Sequence, residues 1–343
     1  MKRNIVILAA LILSICSFGT AYAEADQGEK TLKQYVKTLA TESAPGKQRD
    51  AFEKMSEFEP QSEEQIDFIF SAIKNDDRKI SLAGQRALGN VKDKKLVPKV
   101  IAALNDKDKR VKVGAIRAAG RLKDKKAVPG LVKCLDDDEA VTHESSLALA
   151  EIGDNNVIPE LLKRIGRNNA PTSIGLAKFG LEALRAIKAN LDTEAEERVD
   201  ITEGEDKRFN MIRTIGFIRD PDAVPYLKEL LEDQDSDVRI SAVQALGKMG
   251  ELNLAEAMQD KDATVRIYAL GVSKKIRGDE VDQIIIDRLV NDDNKNVRAF
   301  SANILYERNV YKAIPYLKDA LNDTSKDVRD TARLALDKIT KSN

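Results

Sequence analysis

The stretch from Asp233 to Asp262 decides the fold of this chain. It reads Asp233-Gln-Asp-Ser-Asp-Val-Arg-Ile-Ser-Ala-Val-Gln-Ala-Leu-Gly-Lys-Met-Gly250, passes through a short apolar segment, and begins again as Asp260-Lys-Asp-Ala-Thr-Val-Arg266. The Val-Arg pair occurs four times, with its valines at Val238, Val265, Val297 and Val328. A pattern that returns at such regular intervals indicates stacked supersecondary units rather than one globular core.

An aspartate precedes the arginine of each Val-Arg pair at a constant distance. The aspartates are Asp233, Asp260, Asp292 and Asp323, and the arginines are Arg239, Arg266, Arg298 and Arg329. Weaker copies lie upstream, where Asp106 precedes Val111-Lys112 and Asp136 precedes Val141-Thr142.

Each unit is predicted to be a pair of helices. After the Asp-rich turn, apolar residues follow the spacing of a helix with one buried stripe, as at Val238, Ala242, Leu246 and Met249. A second helix is predicted to open at Ala-Val-Pro or a close variant, because proline suits a first helical turn. The prolines concerned are Pro98, Pro129, Pro159, Pro225 and Pro315.

These signals predict an all-α fold, a right-handed α-solenoid of helix pairs in which each pair buries its stripe against its neighbours. About nine units are expected over residues 75–343, with an N-terminal helical cap over 24–74. The predicted first helices begin near Arg78, Lys109, Glu139, Thr172, Asp206, Ser236, Ala263, Lys295 and Lys326. One first helix is expected over 172–187, followed by an irregular, exposed insertion near 188–206 that is rich in acidic residues.

Residues 1–23 have the features of a signal peptide. Lys2 and Arg3 precede an apolar run from Ile5 to Ile15, and Ala21-Tyr22-Ala23 forms a small-x-small cleavage site. We therefore expect an exported protein, periplasmic or secreted. The alternative is a lipoprotein anchored in the cell envelope through Cys16, and membrane contact is expected only in that case.

The repeat resembles a known family. Its pattern Asp-x-Asp-x-x-Val-Arg-x-x-Ala-x-x-Ala-Leu-Gly, followed by Ala-Val-Pro-x-Leu, is similar to the short HEAT repeat of the phycobilisome-lyase-like type, over roughly residues 75–340. The resemblance implies structural roles for the repeat aspartates and arginines, with Asp in the turn before the first helix and Arg along a ladder between repeats. Lys112 and Thr142 depart from the pattern where Arg would stand.

The sequence contains no glycine-rich phosphate loop, Cys-x-x-Cys or His-Glu-x-x-His motif, and His143 is the single histidine. We therefore expect no catalytic, cofactor-binding or metal-binding residues and no cofactor, and interpret the chain as a non-enzymatic scaffold or adaptor that binds another protein. The alternatives are a lyase-like enzyme accessory or chaperone and a membrane-anchored lipoprotein. The pattern leaves the oligomeric state open.

A set of lysines, here called the lysine ridge, is the one feature outside the repeat consensus that suggests a partner site. The ridge comprises Lys92, Lys94, Lys95, Lys123, Lys125 and Lys126. The second triad follows the first by one repeat period, so stacking is expected to place both on one edge. Two readings stand: ordinary solvated lysines, or a basic edge for an anionic partner. For an exported protein we expect an acidic protein surface, lipid headgroups or an anionic glycan rather than nucleic acid.

Overall fold

The computed structural model describes residues 28–165, 169–194 and 204–341. Within these ranges the regular structure is entirely helical, without a strand. The predicted signal peptide and the centre of the acidic insertion, residues 195–203, lie outside the described residues. In the ranges described, no helix is both long and apolar enough to cross a membrane.

In the described part of the chain, three helices precede the first repeat. They are α1 over residues 28–41, α2 at Pro45–Glu57 and α3 at Glu63–Ile73. Ser62 is the N-cap residue directly before α3, and its hydroxyl accepts a hydrogen bond from the backbone N–H of Gln65 at 3.3 Å. Both α2 and α3 pack on the first helix of the first repeat. Ile66 and Ile69 on α3 are fully buried by this packing.

The first helices of the repeats follow one another along the chain. They are α4 (Arg78–Leu88), α6 (Lys109–Leu122), α8 (Glu139–Ile152), α10 (Asn169–Ala177), α12 (Gly204–Ile218), α14 (Ser236–Met249), α16 (Ala263–Ser273), α18 (Lys295–Glu307) and α20 (Lys326–Lys341). Most of them, all except α10 and α12, begin at the residue that the Asp-rich turn predicts. Their N-caps explain this agreement: the side chain of Asp235, for example, accepts the N–H of Asp237 at 2.9 Å.

The second helices are shorter. They are α5 (Val97–Ala103), α7 (Val128–Cys134), α9 (Ile158–Leu162), α11 (Leu181–Glu194), α13 (Val224–Glu229), α15 (Leu254–Ala257), α17 (Asp279–Asn291) and α19 (Ile314–Asp319). Those that begin at the Ala-Val-Pro signal are each entered through one 3₁₀ turn, with the proline as second residue. The missing proline N–H has no helical partner at that position, so it costs no hydrogen bond.

The expectation of one first helix over 172–187 is wrong. The chain forms two helices there, α10 and α11, which are separated at Gly180. Gly180 has φ +56, a left-handed conformation that glycine adopts without a steric penalty. Helix α11 continues to Glu194, so the first part of the predicted insertion is helical.

The chain divides into two compact units. Of the described residues, 28–161 and 170–175 form the N-terminal unit, and the others form the C-terminal unit. Within each unit the first helices pack on one another, α6 on α8 in the N-terminal unit and α14 on α16 in the C-terminal unit. The core consists of the predicted stripes, and Val238, Ala242 and Leu246 are fully buried. Burial of such stripes stabilises each unit by about 25 cal/mol per Å² of apolar surface.

Candidate functional site

Each unit has two kinds of turns, and their charges differ. The turns from a second helix to the next first helix carry the aspartates of the repeat, such as Asp260 and Asp262. The turns from a first helix to its own second helix carry many of the lysines and arginines, such as Lys123 and Lys126.

In the C-terminal unit the repeat arginines connect successive aspartate turns. The Arg239 guanidinium donates two hydrogen bonds to the carboxylate of Asp260, at 2.8 and 3.0 Å. A third nitrogen of the same side chain donates to the backbone carbonyls of Asp233 and Gln234, at 2.9 and 3.1 Å. The Arg239 side chain thus connects the turn of its own repeat to the turn of the next repeat.

The next pair is the most deeply buried. Arg266 donates to both carboxylate oxygens of Asp292, at 3.0 and 2.8 Å, and to the carbonyl of Asp260 at 2.7 Å. The Asp292 side chain has no exposed area and that of Arg266 is 8% exposed. Asp293 adds a second carboxylate at 2.6 Å. A bidentate ion pair that is shielded from solvent is a strong, geometrically specific contact.

The same geometry continues to the last repeat. Arg298 holds the Asp323 carboxylate at 2.8 and 2.9 Å. Arg329 donates to the carbonyls of Asp323 and Thr324, at 2.7 and 2.9 Å. Each repeat aspartate also closes its own turn, as where Asp323 accepts the N–H of Ser325 at 2.7 Å. These contacts form an arginine ladder that fixes the register of the C-terminal repeats.

The sequence pattern missed one member of this ladder. Arg208 lies on α12 and donates to the Asp233 carboxylate at 2.9 Å. It stands one repeat period before Arg239, so the period was a signal that could have found it. A lysine stands before Arg208 in place of the valine of the Val-Arg pair, which concealed the match.

The ladder predicts how stability depends on pH. The hydrogen bonds from Arg298 hold the pKa of Asp323 below its ordinary value of about 3.9. A carboxyl group whose pKa is lower in the folded state stabilises the fold above the unfolded-state pKa, and this contribution is lost as pH falls through the folded value. Chemical denaturation of wild type and Asp323→Asn should therefore give free energies of unfolding that differ at pH 6 and converge as the pH falls below the lowered pKa of Asp323. A constant difference would contradict this role of Asp323.

The N-terminal unit lacks the repeat arginine. Lys74, directly after α3 and outside the arginine position, pairs with Asp106 at 3.0 Å, and Lys112, which is at that position, pairs with Asp137 at 2.5 Å. At the next position the Thr142 hydroxyl donates to the carbonyl of Leu135 at 3.1 Å. A single ammonium group cannot form the bidentate contact of a guanidinium, so these turns are joined less rigidly.

The turns that carry the lysine ridge are neighbours. Arg121, just before the second triad, donates to the carbonyl of Gly89 at 2.6 Å and to the side chain of Asn90 at 3.0 Å, just before the first triad. Asn90 in turn donates to the carbonyl of Ser56 at 2.7 Å. Both triads therefore lie on one edge of the N-terminal unit.

Two of the six ridge lysines have carboxylate partners. Lys92 pairs with Glu59, and Lys125 lies 3.5 Å from Asp154. The side chains of Lys94, Lys95, Lys123 and Lys126 are exposed and take part in none of the ion pairs of the described residues. Their charge is available to an anionic partner.

A groove lies beside the shortest second helix, α15. It has a volume of about 350 Å³ and is lined by Leu231, Arg239, Val243 and Asp260, among others. It results from the shortness of this repeat, whose second helix spans only Leu254–Ala257. The ladder pair Arg239–Asp260 lies in its wall, so the polar groups there already bind each other.

The surroundings of Cys134, the single cysteine among the described residues, favour a structural role. Cys134 is buried, and its thiol points to the carbonyl of Leu104 at 3.7 Å. Burial raises the pKa of the Cys134 thiol. Among the residues that the structure describes, no group of three or more His, Cys, Asp and Glu side chains is placed to hold a metal ion.

Comparison with solved structures finds helical proteins at low identity. The complex of CpcE and CpcF of phycocyanin lyase from Nostoc sp. PCC7120 matches at 20% identity and TM-score 0.28, covering 82% of this chain and 96% of that chain. Human deoxyhypusine hydroxylase matches at 20% identity and TM-score 0.31, and the match covers 81% of this chain and 96% of that chain. The karyopherin Kap121p bound to Ste12p matches at 11% identity and TM-score 0.47, and the match covers 92% of this chain and 44% of that chain.

No curated protein matches the chain. The sequence model of HEAT repeats matches residues 66–147, 97–182, 196–272 and 282–343, which together are more than half of the chain. Its helix pairs and its repeat period agree with this match, so the family predicted from the Asp-Arg pattern is confirmed. The chain is a helical-repeat scaffold and belongs to the family of HEAT repeats.

Proposed function

We propose that this chain is an exported, non-enzymatic HEAT-repeat scaffold that binds another protein. The observation that carries the proposal is the lysine ridge: four of its lysines are exposed and without an ion pair among the described residues, on neighbouring turns of one unit. Extended repeat surfaces of this kind are commonly used for binding. The proposed partner presents an acidic protein surface to the ridge.

The ridge acts through screened Coulomb forces, because the lysines are exposed to solvent. At physiological ionic strength the Debye length is about 8 Å, so the ridge attracts a partner only at close range and binding weakens as salt rises. The pairing of Lys92 and Lys125 within the chain reduces the free charge but leaves the edge positive.

Replacing all six ridge lysines by glutamate is expected to abolish capture of the partner. The readout is quantitative mass spectrometry of proteins bound from the native envelope fraction at low salt, comparing wild type and variant. Stability should hardly change, since substitutions at exposed sites usually stay within about 0.5 kcal/mol. Equal capture of the same acidic protein by both would show that the ridge is an ordinary solvated edge.

The matched control reverses six exposed lysines elsewhere that form no ion pair among the described residues. These are Lys37, Lys178, Lys228, Lys261, Lys318 and Lys326. The control variant carries the same change in net charge and is expected to retain the partner. Loss of capture in both variants would indicate a non-specific charge effect rather than a site.

Export is tested at the N-terminus. We expect mass spectrometry of the mature protein to find Glu24 as the first residue, since Ala21-Tyr22-Ala23 fits a cleavage site. Acylated Cys16 as the first residue would instead show the anchored lipoprotein. An uncleaved Met1 would contradict export by this signal.

A further inference from the structure

A second group of cations, which the sequence pattern did not reveal, lies in the C-terminal unit. It is called here the cation cluster and comprises Arg213, Arg219, Lys248, Lys275 and Arg277. Arg213 lies within α12 and Lys248 in the last turn of α14, whereas Arg219, Lys275 and Arg277 follow the ends of α12 and α16. Since α12 packs on α14 and α14 on α16, the cluster crosses three repeats on one edge.

The cluster has no carboxylate partners in the part of the chain that the structure describes. All five side chains are exposed, and none belongs to an ion pair there. Elsewhere in this unit the cations of corresponding turns are paired: Arg308, which follows α18, lies 2.7 Å from Asp282. The nearby acidic side chain of Asp220 is used within its own turn, where it accepts the N–H of Asp222 at 2.9 Å.

The cations are close enough to repel one another. Burial, and then the charges of Arg213, Arg219 and Lys275, lower the pKa of Lys248. The ammonium group of Lys248 lies over the ring of Phe217, 2.9 Å from its centroid, and that ring is 36% exposed. A cation at a helix C-terminus is favoured by the helix dipole, which explains single lysines but not a group that repels itself.

A groove continues the cluster at the end of α16. It has a volume of about 760 Å³ and is lined by Lys274, Lys275, Arg277, Gly278, Asp279, Asp282, Glu307 and Arg308. Its acids are already paired: Asp282 with Arg308, Glu307 with Lys274 at 2.8 Å, and Asp279 with Lys312 at 3.0 Å. Lys275 and Arg277 remain as the charges that the groove offers to a ligand.

We infer that the cation cluster and this groove bind an extended acidic segment of a partner protein. Packed helices lie about 8–10 Å apart, so each repeat presents its cations at roughly that interval. An extended peptide rises about 3.3 Å per residue, so acids at every third residue match it. The exposed ring of Phe217 provides a contact for an apolar side chain between the acids.

A protein segment fits this surface better than nucleic acid does. Asp279 lies on the groove with its side chain 98% exposed. A peptide can place an uncharged residue opposite this carboxylate, whereas nucleic acid carries a phosphate at every nucleotide. The choice of a protein as occupant rests on the proposed function.

The test uses the purified full-length mature chain and a fluorescein-labelled peptide with glutamate at every third residue and one central phenylalanine. Fluorescence anisotropy is expected to show binding at low salt that weakens as salt is added. Reversing the five cations of the cluster to glutamate should raise Kd at least about tenfold, because the interaction is mainly electrostatic. The six-lysine ridge variant serves as the control and should retain most of the affinity.

Two further variants separate binding from folding. Lys275→Gln with Arg277→Gln removes only the groove charges and should weaken binding even if the five-fold variant is unfolded by circular dichroism. Phe217→Ala should weaken the phenylalanine peptide more than a peptide with alanine in its place. Both results would place the peptide on the cluster and in the groove.

Three results would overturn the inference: no peptide binding by wild type at low salt, unchanged Kd in the folded cluster variants, or tighter binding of single-stranded DNA or of anionic phospholipid vesicles than of the peptide. The proposed function fails by a different observation, namely equal capture of envelope proteins by wild type and the ridge variant. The two failures are therefore distinguishable.

Discussion

Replacing Arg266 by alanine is expected to lower the free energy of unfolding by about 3–5 kcal/mol, the largest effect of any single substitution discussed here. The reason is that the substitution leaves the buried carboxylate of Asp292 without its partner. Asp292 has no exposed side-chain area, and Arg266 is its bidentate partner. Arg288 lies 3.6 Å from Oδ2 of Asp292, too far to replace two lost hydrogen bonds.

Chemical denaturation of the full-length chain measures this loss. Arg329→Ala is the matched control, because the contacts of Arg329 in the structure are with the backbone carbonyls of Asp323 and Thr324. A loss of about 0.5–1.5 kcal/mol is expected there, the value of an ordinary hydrogen bond. Equal losses in the two variants would contradict the argument from the buried carboxylate.

A double-mutant cycle isolates the pair itself. Arg266→Met with Asp292→Asn removes both charges and keeps side chains of similar size. This double variant is expected to be more stable than Arg266→Met alone, the corresponding single variant of the cycle, because a neutral amide is cheaper to bury than an unpaired carboxylate. If the double variant is as unstable as the single one, the loss comes from packing rather than from charge.

Gly216→Ala is expected to lower stability by about 1–3 kcal/mol through overpacking. A Cβ atom at Gly216 would lie 2.7 Å from the Cα of Ala245 and 3.1 Å from its carbonyl oxygen. These are backbone atoms of the next first helix, α14, so no side-chain rotation relieves the contact. Gly247 is the corresponding glycine of the next repeat.

Gly271→Ala is the control for this substitution. Gly271 also lies within a first helix, α16, but a Cβ there would meet no atom within 4 Å. Alanine is a better helix former than glycine, and we expect a gain of about 0.5–1 kcal/mol. Thermal or chemical denaturation should therefore shift in opposite directions for the two variants. Two shifts in the same direction would mean that helix propensity, not close approach, governs these positions.

Much of the fold was predictable because the signals are local. An aspartate in a turn caps the helix that follows directly after it, so Asp235 determines where α14 begins. Proline likewise marks the second helices, since its constraint acts on its own turn. The period then orders the units, because a helix pair with one apolar stripe must be covered by a similar pair.

The break at Gly180 was not predictable in the same way. Residues 172–187 keep a helical spacing of apolar residues on both sides of the break, so periodicity alone favours one helix. Glycine inside such a pattern is tolerated in many helices, and only its φ of +56 shows the turn. The backbone conformation at Gly180 therefore decides between one helix and two.

The sequence by itself determined the repeat, the helix boundaries at capped turns and the positions of Arg239, Arg266, Arg298 and Arg329 in it. Only the tertiary structure decided which charges are neutralised, because ion pairs join residues of different repeats whose distance the sequence does not contain. The tertiary structure pairs Lys92 with Glu59 and Lys125 with Asp154, and it leaves the cation cluster without carboxylate partners among the described residues. Arg213 and Lys275 occupy different positions in their repeats, so no periodic signal connects them; helix packing brings them together.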